Sequence, residues 1–422
     1  MPLPAGLSPT RVLLPNGAVV LAKETRKTPA VTINVAIRSG AIADPRDAPG
    51  SMHLLSRTID RGTATRSTAE ISDALDDRGV SLNVGVTRHL VSIACTCLTA
   101  DFEDIMRIVA DIVMNPSFPE EELAIRKREV VTAIAQDYDS PYVRAAEELM
   151  ALLYGADHPY GWRMKGSADR IERVSRDDLR QLHARWFAPS QLMVIAVGDV
   201  SASKVSDIVS REFGGWRAAT PQPVTLPRPS ASTSRRRAVI PMMNKAQADI
   251  AYGFVAIARS DPSFYASWLM NNVLGQYALG GRLGDRIREQ QGMAYYVSSN
   301  LEAQIVEGPL FVRAGVSATN VDRAVASIDE ELQRMRAEGV TEREFAESRN
   351  FLIASMPRTL ETNAGIANFL QRSEVFGLGL DFDLRMRDLL EALRIEEVNQ
   401  AAAALLDPSR ATVVIAGPYQ DA

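Results

Sequence analysis

A chain of 422 residues is longer than one hydrophobic core usually supports, so two or more domains are expected. With 46% hydrophobic and 23% charged residues it has the composition of a soluble globular protein, and a net charge of -5 supplies no basic field for nucleic acid. No apolar run is long enough to span a bilayer, so neither nucleic acid nor a membrane is expected as a partner.

The amino terminus, MPLPAGLSPTRVLLPNG, lacks a basic region followed by an apolar segment and a small-residue cleavage site. No signal peptide is visible, which favours a cytoplasmic over a periplasmic location. RVLLPNGAVVLAKE alternates apolar and polar residues around Asn16-Gly17, a dipeptide that favours tight hairpins, and predicts a first hairpin. AVTINVAIRSGAIAD predicts a longer strand, and GSMHLLSRTIDRGT (Gly50 to Thr63) a short helix centred on His53. Ser67-x-x-Glu70 is a capping box opening ISDALDDRG, which Gly79 closes. VSLNVGVTRHLVSIACTCL reads as two strands. Its Cys95 and Cys97 share a face but are poorly placed to bridge each other, so buried structural thiols are expected rather than a redox pair.

DFEDIMRIVADIVMNP predicts an amphipathic helix with Phe102, Ile105, Ile108, Val109, Ile112 and Val113 toward the core. Pro119 and three glutamates open a long helix through Ala133. The strand LMVIAVGDV then closes a first half near Gly215. RAATPQPVTLPRPSASTSRRR reads as an extended linker whose basic end, Arg235 to Arg237, is a solvated charge run. Domains are therefore expected at residues 1–215 and 238–422, with a linker at 216–237.

The second half repeats the first. IAYGFVAIARSDPSFYASWLMNNVLG is a strand and an apolar helix; RLGDRIREQQGMAYYVSSNLEA is a helix, a terminal Gly292 and a strand. PLFVRAGVSATNVDRAVASIDEELQRM parallels HLVSIACTCLTADFEDIMRIVADIV, and Thr341-x-x-Glu344 caps a further long helix. Such self-similarity indicates duplicated domains.

His53, Ser56 and Arg57 stand at i, i+3 and i+4 of one helix, the spacing at which His-x-x-Glu-His projects two zinc ligands and a general base from one face. Here Ser56 cannot serve as the base, and Arg57 offers five donors and no lone pair for a metal. The four histidines, His53, His89, His158 and His183, include no pair at i, i+4, so no substitute zinc site is expected in this chain.

On these residues the chain resembles, over nearly its full length, the pitrilysin and insulin-degrading-enzyme family of zinc peptidases, the inverted zincins. It is most similar to the small two-domain members related to the mitochondrial processing peptidase. Gly50 leads into the His53 helix and Arg61-Gly62-Thr63 follows it, as in the family. The family's last zinc ligand is a glutamate on a later helix, just ahead of an Ile, with an Asp-x-Pro beyond. Glu129 to Ile134, then Asp139-Ser140-Pro141, reproduce that frame and put Ala133 in the ligand position.

The resemblance implies an α+β fold of two duplicated domains, each a mostly antiparallel sheet packed with helices, and a dimer of such chains enclosing a chamber. It further implies roles for Arg288 and Tyr295, seven residues apart, which in such enzymes hold the substrate backbone and the tetrahedral oxyanion. A glycine-bearing stretch, Leu274 to Arg282, corresponds to a loop that helps receive substrate. The function implied is that of a non-catalytic subunit, inactive alone. It lends Arg288 and Tyr295 to a homologous partner carrying the zinc, within a heterodimeric metalloendopeptidase acting on peptides. The alternatives are a purely structural subunit with no part in proteolysis, and a self-sufficient binder of peptides.

Overall fold

The computed structural model describes residues 6–277 and 280–420. Two sheets organise it, each with its own helices. Strands β1 (Thr10–Leu13), β2 (Val19–Glu24), β3 (Ala30–Ile37), β4 (Asn83–Val86), β5 (Val91–Leu98) and β6 (Leu192–Gly198) form the first, in the order β1-β2-β6-β3-β5-β4. Strands β7 (Arg236–Pro241), β8 (Ala248–Val255), β9 (Ala294–Leu301), β10 (Pro309–Val316) and β11 (Thr412–Gly417) form the second, in the order β7-β11-β8-β10-β9. Each has one parallel pairing, β2 with β6 and β7 with β11, and is otherwise antiparallel. The second order is the first without its β1, so the duplication read from the sequence is a duplication of topology.

Helices α1 (Ser51–Thr58), α2 (Thr68–Asp76), α3 (Phe102–Met114), α4 (Glu120–Tyr138), α5 (Pro141–Tyr154), α6 (Ala168–Arg173), α7 (Arg176–Trp186) and α8 (Ala202–Phe213) come from the first half. The second half supplies α9 (Phe264–Gly275), α10 (Gly281–Leu283) with a π-helical continuation Gly284–Gln290, α11 (Val321–Glu338), α12 (Glu342–Thr359), α13 (Asn363–Val375), α14 (Phe382–Glu391) and α15 (Ile395–Leu405). The local signals are realised. Gly17 (φ 92°) closes the β1-β2 hairpin with Leu14 N–H donating to the Ala18 carbonyl, and Ser67 with Glu70 forms the capping box of α2. Thr341 and Glu344 cap α12 in the same way. Phe102, Ile105, Val109 and Ile112 of α3 are fully buried. Cys95 and Cys97 are buried free thiols, and burial pushes each up to about 12.

The compact units do not follow chain order. One comprises residues up to Ile134 with Arg163–Thr225 and Pro357–Asp383; the other comprises Ala135–Trp162, Leu226–Met356 and the chain from Leu384 onward. The first unit thus takes α13 from the second half, and Ile366 and Leu370 pack on Leu21, Ile195 and Val197. The second takes α5 from the first half, and α5 packs on β8 and β11. Both sheets are buried on two faces near their centres: β6 and β11 are buried along their whole length and apolar but for Thr412 at the start of β11.

One expectation is corrected here. β7 starts at Arg236, inside the stretch read as linker, and although Arg235 and Arg237 stay exposed as expected, each of the three arginines has a fixed partner. Arg235 pairs with Asp329 at 2.8 Å, Arg236 donates to the Leu152 carbonyl, and Arg237 pairs with Asp322 at 3.0 Å. The acidic face of α11 lies beside the start of the strand, and that tertiary neighbour fixes the arginines. In the glycine-bearing stretch Leu274 to Arg282, Ala278 and Leu279 lie outside the described residues. No helix among the described residues is long and apolar enough to cross a membrane.

Candidate functional site

Helix α1 is anchored before its chemistry is considered. Its N-cap is Gly50 (φ 96°), where a Cβ would stand 2.5 Å from the Lys165 carbonyl oxygen, so glycine is required by space as well as by conformation. With no side chain at the cap, Asp44 does the capping: its carboxylate accepts from Gly50 N–H at 2.7 Å and Met52 N–H at 2.6 Å. Met52, Leu54 and Leu55 are wholly buried. That burial fixes the rotation of the helix, leaving His53 half-buried and Arg57 exposed one turn on.

What this face offers a metal is a single imidazole. The Ser56 hydroxyl is buried and donates to the His53 carbonyl at 2.7 Å, a bond within its own turn. Arg57 reaches Glu129 of α4 at 3.6 Å, and Arg126 holds the same carboxylate at 2.6 Å. Ala133 lies one turn beyond Glu129 on α4, half-buried, and presents only a methyl group. Among the described residues no group of three or more His, Cys, Asp or Glu side chains is placed to hold a metal ion. A zinc site takes three or four lone-pair donors, and the two guanidinium groups on Glu129 oppose a dication, so these residues do not fit a zinc ion. Sequence reasoning used Glu129 to set the frame but not as a partner of Arg57. The signal was its position four residues ahead of Ala133.

The second unit holds the other two candidates. Arg288 lies in the π-helical segment Gly284–Gln290, a rare conformation that widens the turn and is frequent at functional sites. Leu283 and Ile287 bury one side of it. Gln290 donates to Asp285 at 2.7 Å, the i, i+5 spacing of a π-turn. Arg286 pairs with Glu330 and lies 4.0 Å from Glu331, which is fully buried among Arg282 at 3.7 Å and Arg334 at 2.7 Å as well. Arg282 in turn forks onto Glu344 with two bonds of 2.6 Å. Arg288 itself is 42% exposed, and its ion partner among the described residues is the adjacent Glu289 at 3.4 Å.

Tyr295 is the extra residue of a β-bulge. The ladder pairs Gly315 with Tyr296 and Val316 with Ala294, passing over Tyr295. Alternation counted back from the buried Val297 and Ser299 would turn Tyr295 into the core. The bulge instead buries Ala294 and leaves Tyr295 84% exposed. Tyr296 keeps the structural role, its hydroxyl donating to the buried Asp249. A Cβ on Gly315 would lie 2.5 Å from the Tyr296 ring, so glycine gives the ring its path to Asp249. Burial, then the bond to Asp249, raises the Tyr296 hydroxyl far above the usual phenol range.

Two sheets of one topology, each packed with its own helices, define a duplicated α+β protein. A family model described as Insulinase (Peptidase family M16) matches residues 19–158, and one described as Peptidase M16 inactive domain matches residues 173–352. The chain belongs to peptidase family M16, which contains pitrilysin and insulin-degrading enzyme. It is 26% identical over 420 residues to an uncharacterized zinc protease of Mycobacterium tuberculosis, covering 98% of this chain and 94% of that one. It is 22% identical over 386 residues to the non-peptidase homolog YmxG of Helicobacter pylori, covering 90% and 87%. A crystal structure of a peptidase M16 inactive domain from Pseudomonas fluorescens superposes with a TM-score of 0.90 at 24% identity, covering 98% of each chain.

Proposed function

We propose that this chain is a non-catalytic M16 subunit that has lost its own metal site and lends Arg288 and Tyr295 to the zinc site of a homologous partner. The observation that carries the reading is the bulge at Tyr295, which keeps a large aromatic side chain 84% exposed where plain alternation would bury it. The exposed Tyr295 ring adds little to the core, and Arg288 stands exposed in a neighbouring element. Both are donors suited to a carbonyl oxygen that gains negative charge in peptide hydrolysis. The donor set around His53 supports the other half of the reading, since it cannot hold or activate a metal-bound water. The H. pylori relative, named a non-peptidase homolog, is consistent with a chain of this type. In the assembly the partner would bring zinc, its ligands and the general base; this chain would bind and orient the peptide carbonyl.

The test is steady-state kinetics of the chain reconstituted with a zinc-bearing homologue. Arg288→Ala and Tyr295→Phe should each lower kcat by on the order of a hundredfold, with zinc content and association unchanged. The double variant should lose less than the product of the two single losses, because both side chains act on one carbonyl group or its neighbours. Near-normal turnover in both single variants would sink the reading and leave a scaffold role.

A further inference from the structure

In the second unit α5 covers the sheet unevenly. It packs on β8 and β11, while the outer strands carry a polar strip on the same face. Arg313 of β10 stands opposite Ser298 of β9, and Phe311 opposite Asn300; Glu302 follows two residues on. This strip forms the wall of an open cavity of about 570 Å³, which Gln276 and Tyr142 also line. The Gln276 amide donates to Asn300 at 3.3 Å and Asn300 donates to Glu302 at 3.2 Å, so the strip is hydrogen-bonded along its length.

Arg313 is the anomalous member. Its guanidinium lies over the Tyr142 ring, 3.3 Å from the centroid, and donates to the Tyr142 carbonyl. That fixes the side chain but uses few of its five N–H donors. Among the described residues it forms no ion pair: of the carboxylates that act on it, Asp249 accepts from Tyr296 and Glu302 from Asn300. Burial holds the guanidinium below its ordinary value. A partly desolvated, immobilised guanidinium with donors to spare is preorganised for a planar anion.

We propose that this cavity is a peptide subsite in which Arg313 takes a carboxylate, while Gln276, Asn300 and Glu302 meet main-chain amides. The amide and carboxylate acceptors along the strip select a ligand that carries N–H donors as well as the anion. That chemistry belongs to a peptide rather than to a simple acid. The carboxylate can be the terminal one or that of an Asp or Glu side chain. The proposal is independent of any service by Arg288 and Tyr295 to a partner, because the cavity belongs to one unit of this chain and binding can be measured without the partner.

The experiment titrates the full chain, calorimetrically, with one neutral acetylated hexapeptide in three forms: free acid, carboxamide, and carboxamide with a single internal glutamate. At least one carboxylate form should bind about tenfold or more tightly than the neutral carboxamide, as expected for charge-assisted bonds to arginine. Whichever acid form binds more tightly identifies the source. Arg313→Gln should abolish the preference while leaving carboxamide binding in place. Asn300→Asp, which sets a second negative charge beside the site without touching the Tyr142 contact, should reduce the preference even if Arg313→Gln perturbs folding. Equal binding of all three forms, no binding of any at millimolar concentration, or a preference that survives Asn300→Asp undiminished overturns the proposal.

Discussion

Replacing Asp44 by asparagine tests how α1 is held. The Asp44 carboxyl is buried, and desolvation raises it from 3.8 to about 7 despite the opposing effect of the N–H groups of Gly50 and Met52. The native state therefore binds a proton that the unfolded chain releases near pH 4. Between pH 3.8 and about 7 the native state holds more protons than the unfolded state, so stability falls as pH rises through that window and is level above it. At about 1.4 kcal/mol per pH unit, the gap corresponds to roughly 4 kcal/mol as an upper bound. Asparagine has the same shape and no proton to lose, so Asp44→Asn removes the slope. It leaves one of the two N–H groups without an acceptor, at a cost of about 1–3 kcal/mol that does not vary with pH. The two curves therefore converge or cross: wild type is more stable near pH 4.5, and the variant matches or exceeds it above pH 7. Urea midpoints for both proteins from pH 4.5 to 8.5 measure this. Parallel curves would refute the reasoning, placing Asp44 among ordinary ionised caps.

Three further outcomes bear on the two candidate regions. The isolated chain should hold no stoichiometric zinc and cleave no peptide; metal analysis finding one tightly bound zinc per chain, lost in His53→Ala, would contradict the reading of α1. Arg57→Ala should change stability by less than about 1 kcal/mol, because its pair with Glu129 is close to half exposed on both sides and solvent screens it. Glu331→Gln should cost about 3–5 kcal/mol, since it removes the fully buried carboxylate among Arg282, Arg286 and Arg334, and unfolding by urea would register it. Loss of that hub should also loosen the π-helical segment, seen as faster hydrogen exchange at Ile287 and Gln290; unchanged exchange there would mean that Leu283 and Ile287 hold the segment by packing alone.

The sequence by itself determined the elements and their duplication. Asn16-Gly17, the two capping boxes at Ser67 and Thr341 and the apolar stripe of α3 are local signals, read over a few residues, and each produced the element it predicts. The side chains at positions 53, 56, 57 and 133 were legible too, because whether a group carries a lone pair is a property of the residue and not of its surroundings. Only the tertiary structure decided which groups meet. That α5 joins the second unit and α13 the first follows from which apolar faces each sheet leaves uncovered, and no local pattern records it. The pairing of Arg57 with Glu129, the approach of Arg282 and Arg286 to Glu331 and the anchoring of Arg235 to Arg237 on their neighbours join residues distant in sequence. The bulge that exposes Tyr295 and buries Ala294 is a matter of register: Tyr295 and Tyr296 are the same residue type side by side. Only the pairing of β9 with β10, with Gly315 leaving room for one ring, sends one inward to Asp249 and the other out to solvent.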